Sequence, residues 1–153
     1  MKKKRLILVI VFWGYLAALI RIVLFKGLFF FRIVPASSYY KKHHANSSYR
    51  DYNVVPFRTI KFFLTDSVST SSAFFNLAGN ILLFVPLGLL LPLVVRSTAT
   101  FVKIMVSTMA LSVCFEVYQR IAQIGKADID DVLLNTLGGM IGYGIFSFLK
   151  RIL

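Results

Sequence analysis

The chain has 153 residues, of which 58% are hydrophobic, and a formal net charge of +12 from 18 Lys and Arg against 6 Asp and Glu. A soluble domain is nearer to about 45–50% apolar, so a soluble globular fold is disfavoured. The length allows one domain at most, and we interpret residues 1–153 as a single integral membrane domain. Most of the basic residues lie between long apolar runs, as in membrane proteins, which argues against nucleic-acid binding. Cys114 stands alone, so no disulfide framework, metal or cofactor is predicted.

The apolar runs predict an all-α bundle of four transmembrane helices. They cover about residues 6–25, 77–95, 101–118 and 132–149, and each is long enough to cross a hydrocarbon core of about 30 Å. Helix is the expected conformation because lipid offers no hydrogen bonds to the backbone. The basic N-terminus followed by an apolar run also resembles a signal peptide, but no small-residue cleavage site closes the run, which favours an uncleaved first helix.

The distribution of basic residues predicts the orientation. Positive charge stays cytoplasmic, so the N- and C-termini are expected on the cytoplasmic side of the membrane. The residues on which this depends are Lys2, Lys3, Lys4, Arg5, Arg96, Lys103, Lys150 and Arg151. The loop over about residues 26–76 is also basic, contrary to the simple rule, but long loops obey it less strictly.

Part of that loop has the pattern of an interfacial helix. Phe57, Ile60 and Leu64 recur at helical spacing, while Arg58 and Thr59 lie off this apolar stripe. Pro56 suits the first helical position. We therefore expect an amphipathic helix near residues 53–64, lying in the outer membrane interface.

Polar residues fall at one predicted membrane depth on three separate segments. Ionisable and amide side chains are costly inside a span, and they mark functional sites by default. With four spans, the second and fourth helices begin outside and the third ends outside, so their polar residues reach the same leaflet. The predicted outward-facing polar pocket consists of Asn76, Asn80, Glu116, Gln119, Arg120, Lys126, Asp128, Asp130, Asp131 and Asn135.

Structural explanations for these residues remain open. Glu116 and Arg120, spaced i and i+4, suit a salt bridge. The asparagines suit hydrogen bonds between helices, and Asp130 or Asp131 suits the N-terminal cap of the fourth helix. Gly138 and Gly142 have the small-residue spacing that lets helices pack closely.

Three motifs together resemble the VanZ-like family. They are Asn76-Leu-Ala-Gly-Asn80-Ile-Leu-Leu-Phe-Val-Pro86-Leu-Gly88, then Ser112-x-x-x-Glu116-x-x-Gln119, then Gly125-Lys126-Ala-Asp128-Ile-Asp130-Asp131-Val-Leu-Leu-Asn135-Thr136-Leu-Gly138-Gly139-x-x-Gly142-Tyr143. The stretch from Asn53 to Ile60 is similar to the family's loop before the second helix. Lys126 stands where the family pattern has Arg. The resemblance implies a small bacterial polytopic protein of the inner membrane, and the family's namesake is associated with resistance to teicoplanin, a lipoglycopeptide.

Three functions compete. In the first, the pocket engages a membrane lipid headgroup or a lipid-linked envelope precursor, and the basic loop residues Arg50, Arg58 and Lys61 add attraction to anionic lipid. In the second, the protein is a membrane hydrolase or transferase acting on a lipid-linked substrate. Glu116 and a loop Asp would then be acid and base, and Arg120 or Lys126 would hold an anionic group. A transporter is disfavoured, because no charged residue lies near mid-span in the second or fourth helix.

Overall fold

The computed structural model describes residues 2–33, 52–65, 70–95, 100–124 and 127–152. Most of these residues are helical, and two short strands pair with each other. The elements in chain order are α1 (Lys2–Ile33), β1 (Tyr52–Asn53), α2 (Arg58–Thr65), α3 (Thr70–Val95), α4 (Phe101–Ile121), β2 (Ala127–Asp128) and α5 (Ile129–Ile152).

The expected all-α membrane bundle is confirmed. Among the described residues, four helical segments are long and apolar enough to cross a membrane: Lys3–Leu24, Asn76–Val95, Phe101–Ile121 and Ile129–Ile152. The apolar runs located these spans, but the helices extend beyond them. Helix α4 continues to Ile121, and α5 begins at Ile129 rather than near residue 132. The segment treated as a loop over about residues 26–76 contains the end of α1, the whole of α2 and the first turns of α3.

Glycines bring α3 and α5 into close contact. A Cβ atom added at Gly138 would overlap the backbone carbonyl of Ile81, and one at Gly142 would overlap that of Val85. Gly88 on α3 meets the backbone of Gly139 in the same way. Because no side chain stands between the helices, their backbones approach closely, as the small-residue spacing predicts. Gly144 has open space around it and takes no part in this contact.

The apolar core lies on the α1 side of α3. It is formed by buried side chains of α1, α3 and α4, with Phe84 and Phe115 packed edge to face at 6.3 Å between ring centroids. The Tyr15 hydroxyl donates a hydrogen bond of 2.7 Å to the carbonyl of Leu83. Pro86 has no N–H to donate to the carbonyl of Leu82, the residue before Leu83, so one hydrogen bond of the α3 ladder is missing at this level. Tyr15 thus ties α1 to α3 where the α3 ladder is interrupted.

The connection after α4 turns the chain sharply. Thr100 is the N-cap of α4, and its hydroxyl accepts from the backbone amide of Lys103. At its other end, α4 finishes in a Schellman motif. Gln123 has a φ of 55°, and the amide of Ile124 donates to the carbonyl of Gln119 at 3.1 Å. The described residues resume at Ala127 with β2 and α5, and β2 lies against α4 through the bond from the Asp128 amide to Glu116. This bond therefore places the end of α4 beside the beginning of α5.

The prediction of a short amphipathic helix before the second span is correct in kind, although its boundaries differ. Helix α2 begins at Arg58, so the expectation that Pro56 occupies the first helical position was wrong. Residues 55–57 form a turn instead, and Phe57 has a φ of 65°. Ahead of the turn, β1 pairs in parallel with β2, Asn53 opposite Asp128. This pairing docks the segment of residues 52–65 on the bundle at the N-terminus of α5.

Candidate functional site

A network of buried polar side chains occupies the end of the bundle where α4 finishes and α5 begins. Its buried members are Asn80 from α3, Ser112 and Glu116 from α4, and Asp130, Asp131 and Asn135 from α5. The opposite end carries exposed basic residues, Lys103 early in α4 and Lys150 and Arg151 late in α5. The described buried carboxylates therefore lie at one end of the bundle, whereas exposed bases lie at both ends, with Arg58, Lys61 and Arg120 at the end that carries the network.

Asp130 holds the N-terminus of α2. Its side chain has no exposed surface. Its carboxylate accepts hydrogen bonds from the backbone amides of Phe57 at 2.5 Å, Thr59 at 2.7 Å and Ile60 at 3.2 Å. The first amides of a helix have no partners within the helix, and a carboxylate there also meets the positive end of the helix dipole. Asp130 thus caps a helix that begins 72 residues earlier in the chain.

This distant cap explains the strained backbone at Phe57. The residue that precedes α2 has an apolar side chain and cannot cap the helix itself. Left-handed backbone costs a non-glycine residue roughly 1–2 kcal/mol. The hydrogen bond from the Phe57 amide to Asp130 is made in that conformation and offsets the cost. The Phe57 ring itself is exposed, next to the exposed apolar side chains of Val54 and Val55.

Asp128 joins three elements. Its carboxylate accepts from the Thr59 hydroxyl at 2.5 Å, from the Asn53 amide group at 2.9 Å and from the backbone amide of Asp130 at 2.9 Å. The last bond makes Asp128 the N-cap of α5, so the expectation that Asp130 or Asp131 caps this helix was wrong. Burial raises the pKa of Asp128, because the loss of water around the carboxylate outweighs the hydrogen bonds from Thr59, Asp130 and Asn53 that lower it.

The spans are linked by amide and carboxylate side chains one turn apart. Asn80 donates to Asp131 at 2.6 Å, which joins α3 to α5. Asn135, one turn after Asp131, donates to the Ser112 hydroxyl at 2.8 Å. Glu116, one turn after Ser112, accepts from the backbone amide of Asp128 at 2.8 Å. Polar residues from three spans therefore meet at one depth.

Other predicted site residues lie elsewhere. Gln119 is buried but donates to the backbone carbonyl of Val23 at 2.7 Å, so its amide ties α4 to α1. Arg120 is exposed and is not one of the buried members of the network. Asn76 is half-buried, and its Oδ1 atom is buried without a hydrogen-bond donor among the described residues. Lys126 lies outside the described residues, as does Arg50.

Two members of the network were missed by sequence reasoning. Asn53 and Thr59 were assigned to an interfacial helix, yet both bind Asp128. The available signal was their place in the motif from Asn53 to Ile60, where polar side chains interrupt an apolar run. Among the described residues, no three His, Cys, Asp or Glu side chains are grouped as metal ligands would be.

Glu116, which the hydrolase or transferase hypothesis pairs with a loop Asp as acid and base, contacts the backbone of one of these loop residues, Asp128. Glu116 reaches Asp128 through the backbone amide of the latter, while the Asp128 carboxylate turns to Thr59 and Asn53. This arrangement holds the start of α5 against α4.

Four apolar helices joined at one end by buried polar side chains define a multi-pass helical membrane protein. The family model described as VanZ/LLP1 matches residues 12–150, so this chain belongs to the VanZ family. It is 30% identical over 137 residues to Protein VanZ of Enterococcus faecium, an alignment that covers 90% of this chain and 71% of that protein. No solved structure matches the chain.

Proposed function

We propose that this VanZ-family protein binds a polar headgroup, of a membrane lipid or of a lipid-linked envelope precursor, at the outward end of its bundle. The observation that carries the proposal is the meeting of buried carboxylate and amide side chains from three spans at one depth. Buried ionisable groups in a membrane protein are costly to keep, and they are characteristic of sites that receive a polar ligand.

The contacts divide the predicted pocket into two parts. Asp128 and Asp130 bind Asn53, Thr59 and the first amides of α2, so these two carboxylates position the segment of residues 52–65. Asn80, Asp131 and Asn135 link the spans to one another, and Glu116 links α4 to the residue before α5. We assign ligand contact to these four residues and to Asn76, whose Oδ1 atom is buried without a hydrogen-bond donor among the described residues.

Charge supports the outward orientation. The exposed bases Lys103, Lys150 and Arg151 lie at the end of the bundle away from the network, and basic ends stay in the cytoplasm. The N- and C-termini are then cytoplasmic, and the network faces the outer surface of the inner membrane. The exposed Arg58 and Lys61 of α2 lie on that same surface and attract anionic lipid by about 1 kcal/mol each.

The name of the Enterococcus faecium relative suggests the phenotype to examine. We propose that headgroup binding contributes to resistance to a glycopeptide, teicoplanin being the one to test. Glu116→Gln and Asp131→Asn keep side-chain size and remove charge, so each should reduce the minimal inhibitory concentration of teicoplanin to that of cells without the protein.

Membrane abundance must be measured in the same cells. Thr136→Val is a matched control, because the Thr136 hydroxyl donates to the carbonyl of Val132 within its own helix and, among the described residues, is not hydrogen-bonded to the network. We expect normal abundance for all three variants and normal resistance for Thr136→Val. Resistance that survives both charge-removing changes, or that falls only in step with abundance, would contradict the proposal.

A further inference from the structure

Two buried polar atoms between α4 and α5 have no hydrogen-bond partner among the described residues. They are Oγ1 of Thr108 and Oδ1 of Asn135. The Thr108 side chain is 0% exposed and that of Asn135 is 2% exposed. A buried polar atom that is left unsatisfied is destabilising, and most such atoms in folded proteins are bound to protein or to ordered water. Both atoms therefore require a partner.

The unsatisfied atom on Asn135 does not depend on how the amide is turned. Its side-chain nitrogen donates to the Ser112 hydroxyl at 2.8 Å, which leaves the side-chain oxygen without a hydrogen-bond donor. Rotating the amide by half a turn would let the Ser112 hydroxyl donate to the oxygen, and the nitrogen would then lack a hydrogen-bond acceptor. Either way, one amide atom faces the seam between α4 and α5 without a described partner.

The two residues stand on adjacent levels of the same seam. Ser112 and Asn135 form one level through their hydrogen bond. Thr108 is one turn from Ser112 on α4, and Gly139 is one turn from Asn135 on α5. The Thr108 hydroxyl is so close to Gly139 that a Cβ atom added there would overlap it. Four residues of helix rise about 6 Å. A water molecule with hydrogen bonds of about 2.8 Å on both sides spans nearly this distance.

We infer that α4 and α5 hold an ordered water molecule between Thr108 and Asn135. Water fits the two atoms because it donates one hydrogen to the Asn135 oxygen and either donates its other hydrogen to the Thr108 hydroxyl or accepts from it. The absence of a side chain at Gly139 leaves the Thr108 hydroxyl against the backbone of α5. The site lies within the span Phe101–Ile121, two turns from Glu116 along α4, so it extends the polar network toward the middle of the membrane.

Water-edited solid-state NMR of the whole protein in lipid bilayers tests this inference. Magnetisation should pass from water to the side chains of Thr108 and Asn135 several-fold faster than to Val132 and Leu134, which are buried apolar residues of α5. Transfer to Thr108 and Asn135 that is no faster than to those two residues would overturn the inference.

Two substitutions give an independent reading. Thr108→Val keeps the shape of the side chain and removes the hydroxyl, whereas Thr108→Ser keeps the hydroxyl. If water bridges the two residues, Thr108→Val slows transfer to Asn135 and lowers the thermal midpoint by about 2–4 °C, and Thr108→Ser preserves the transfer. If the seam is dry, Thr108→Val removes an unsatisfied hydroxyl, so an unchanged or raised midpoint with unchanged transfer to Asn135 would overturn the inference.

Discussion

Removing the charge of Asp130 should release α2 from the bundle while the spans remain folded. In the wild-type protein one carboxylate oxygen accepts from Phe57, and the other accepts from Thr59 and Ile60. Asp130→Asn keeps a single acceptor oxygen. If that oxygen retains the pair of bonds to the helix, the new NH2 group faces the donor of Phe57, and one charge-assisted hydrogen bond is lost.

The structure sets the size of the effect. A hydrogen bond to a charged group contributes about 1.5–3 kcal/mol, and the charge at the helix N-terminus contributes about 0.3–1 kcal/mol more. The sum, about 2–4 kcal/mol, corresponds to an increase of roughly 20- to 1,000-fold in the population of the open state.

Hydrogen exchange measured by mass spectrometry detects this opening. Amide hydrogens in peptides covering residues 57–65 should exchange roughly 20- to 1,000-fold faster in Asp130→Asn than in the wild type. A peptide from the middle of α4 should keep its protection from exchange. Thr65→Val is the control, since the exposed Thr65 hydroxyl binds only within α2, at Lys61, and is remote from the cap. Exchange at Thr59 and Ile60 that rises less than about threefold would refute the capping role.

Two further predictions concern stability. Because burial raises the pKa of Asp128 in the folded protein, the free energy of unfolding should fall as the pH rises from the unfolded-state pKa near 3.8 through the raised folded-state pKa. Asp128→Asn should remove this slope in thermal midpoints measured from about pH 3.5 to 7. Gly142→Ala should lower the midpoint by an amount corresponding to about 1–3 kcal/mol because its Cβ meets α3, whereas Gly144→Ala, in open space, should leave it unchanged or slightly raised. Equal midpoints for the two alanine variants would contradict the close packing of α3 and α5.

The spans were predictable because their signal is local. A run of apolar residues long enough to cross a membrane has few alternatives to a helix. The helix ends were less predictable because polar residues continue α4 past residue 118 and begin α5 at Ile129. Common depth, deduced from alternating span directions, was enough to expect Asn80 and Asp131 near each other, and they are hydrogen-bonded.

The roles of individual carboxylates could not be obtained in this way. A search for helix caps looks for a polar side chain just before the helix, and the residue before α2 is Phe57. Its cap comes from Asp130, which is 73 residues later in the chain. The pairing of β1 with β2 covers two residues on each strand, too few for any recognisable pattern. Gln119 shares the depth of the network but faces α1, because depth does not determine the direction in which a side chain points.

The orientation of the polar network is the claim on which the proposed function depends. Single cysteines at Gln123 and Lys103, both exposed, in a Cys114→Ser background, can be labelled on intact cells with a membrane-impermeant maleimide. The cysteine at position 123 should react from outside, and the one at position 103 should react only after the cells are opened. Labelling at position 123 only after the cells are opened would place the network on the cytoplasmic side and refute the outward orientation.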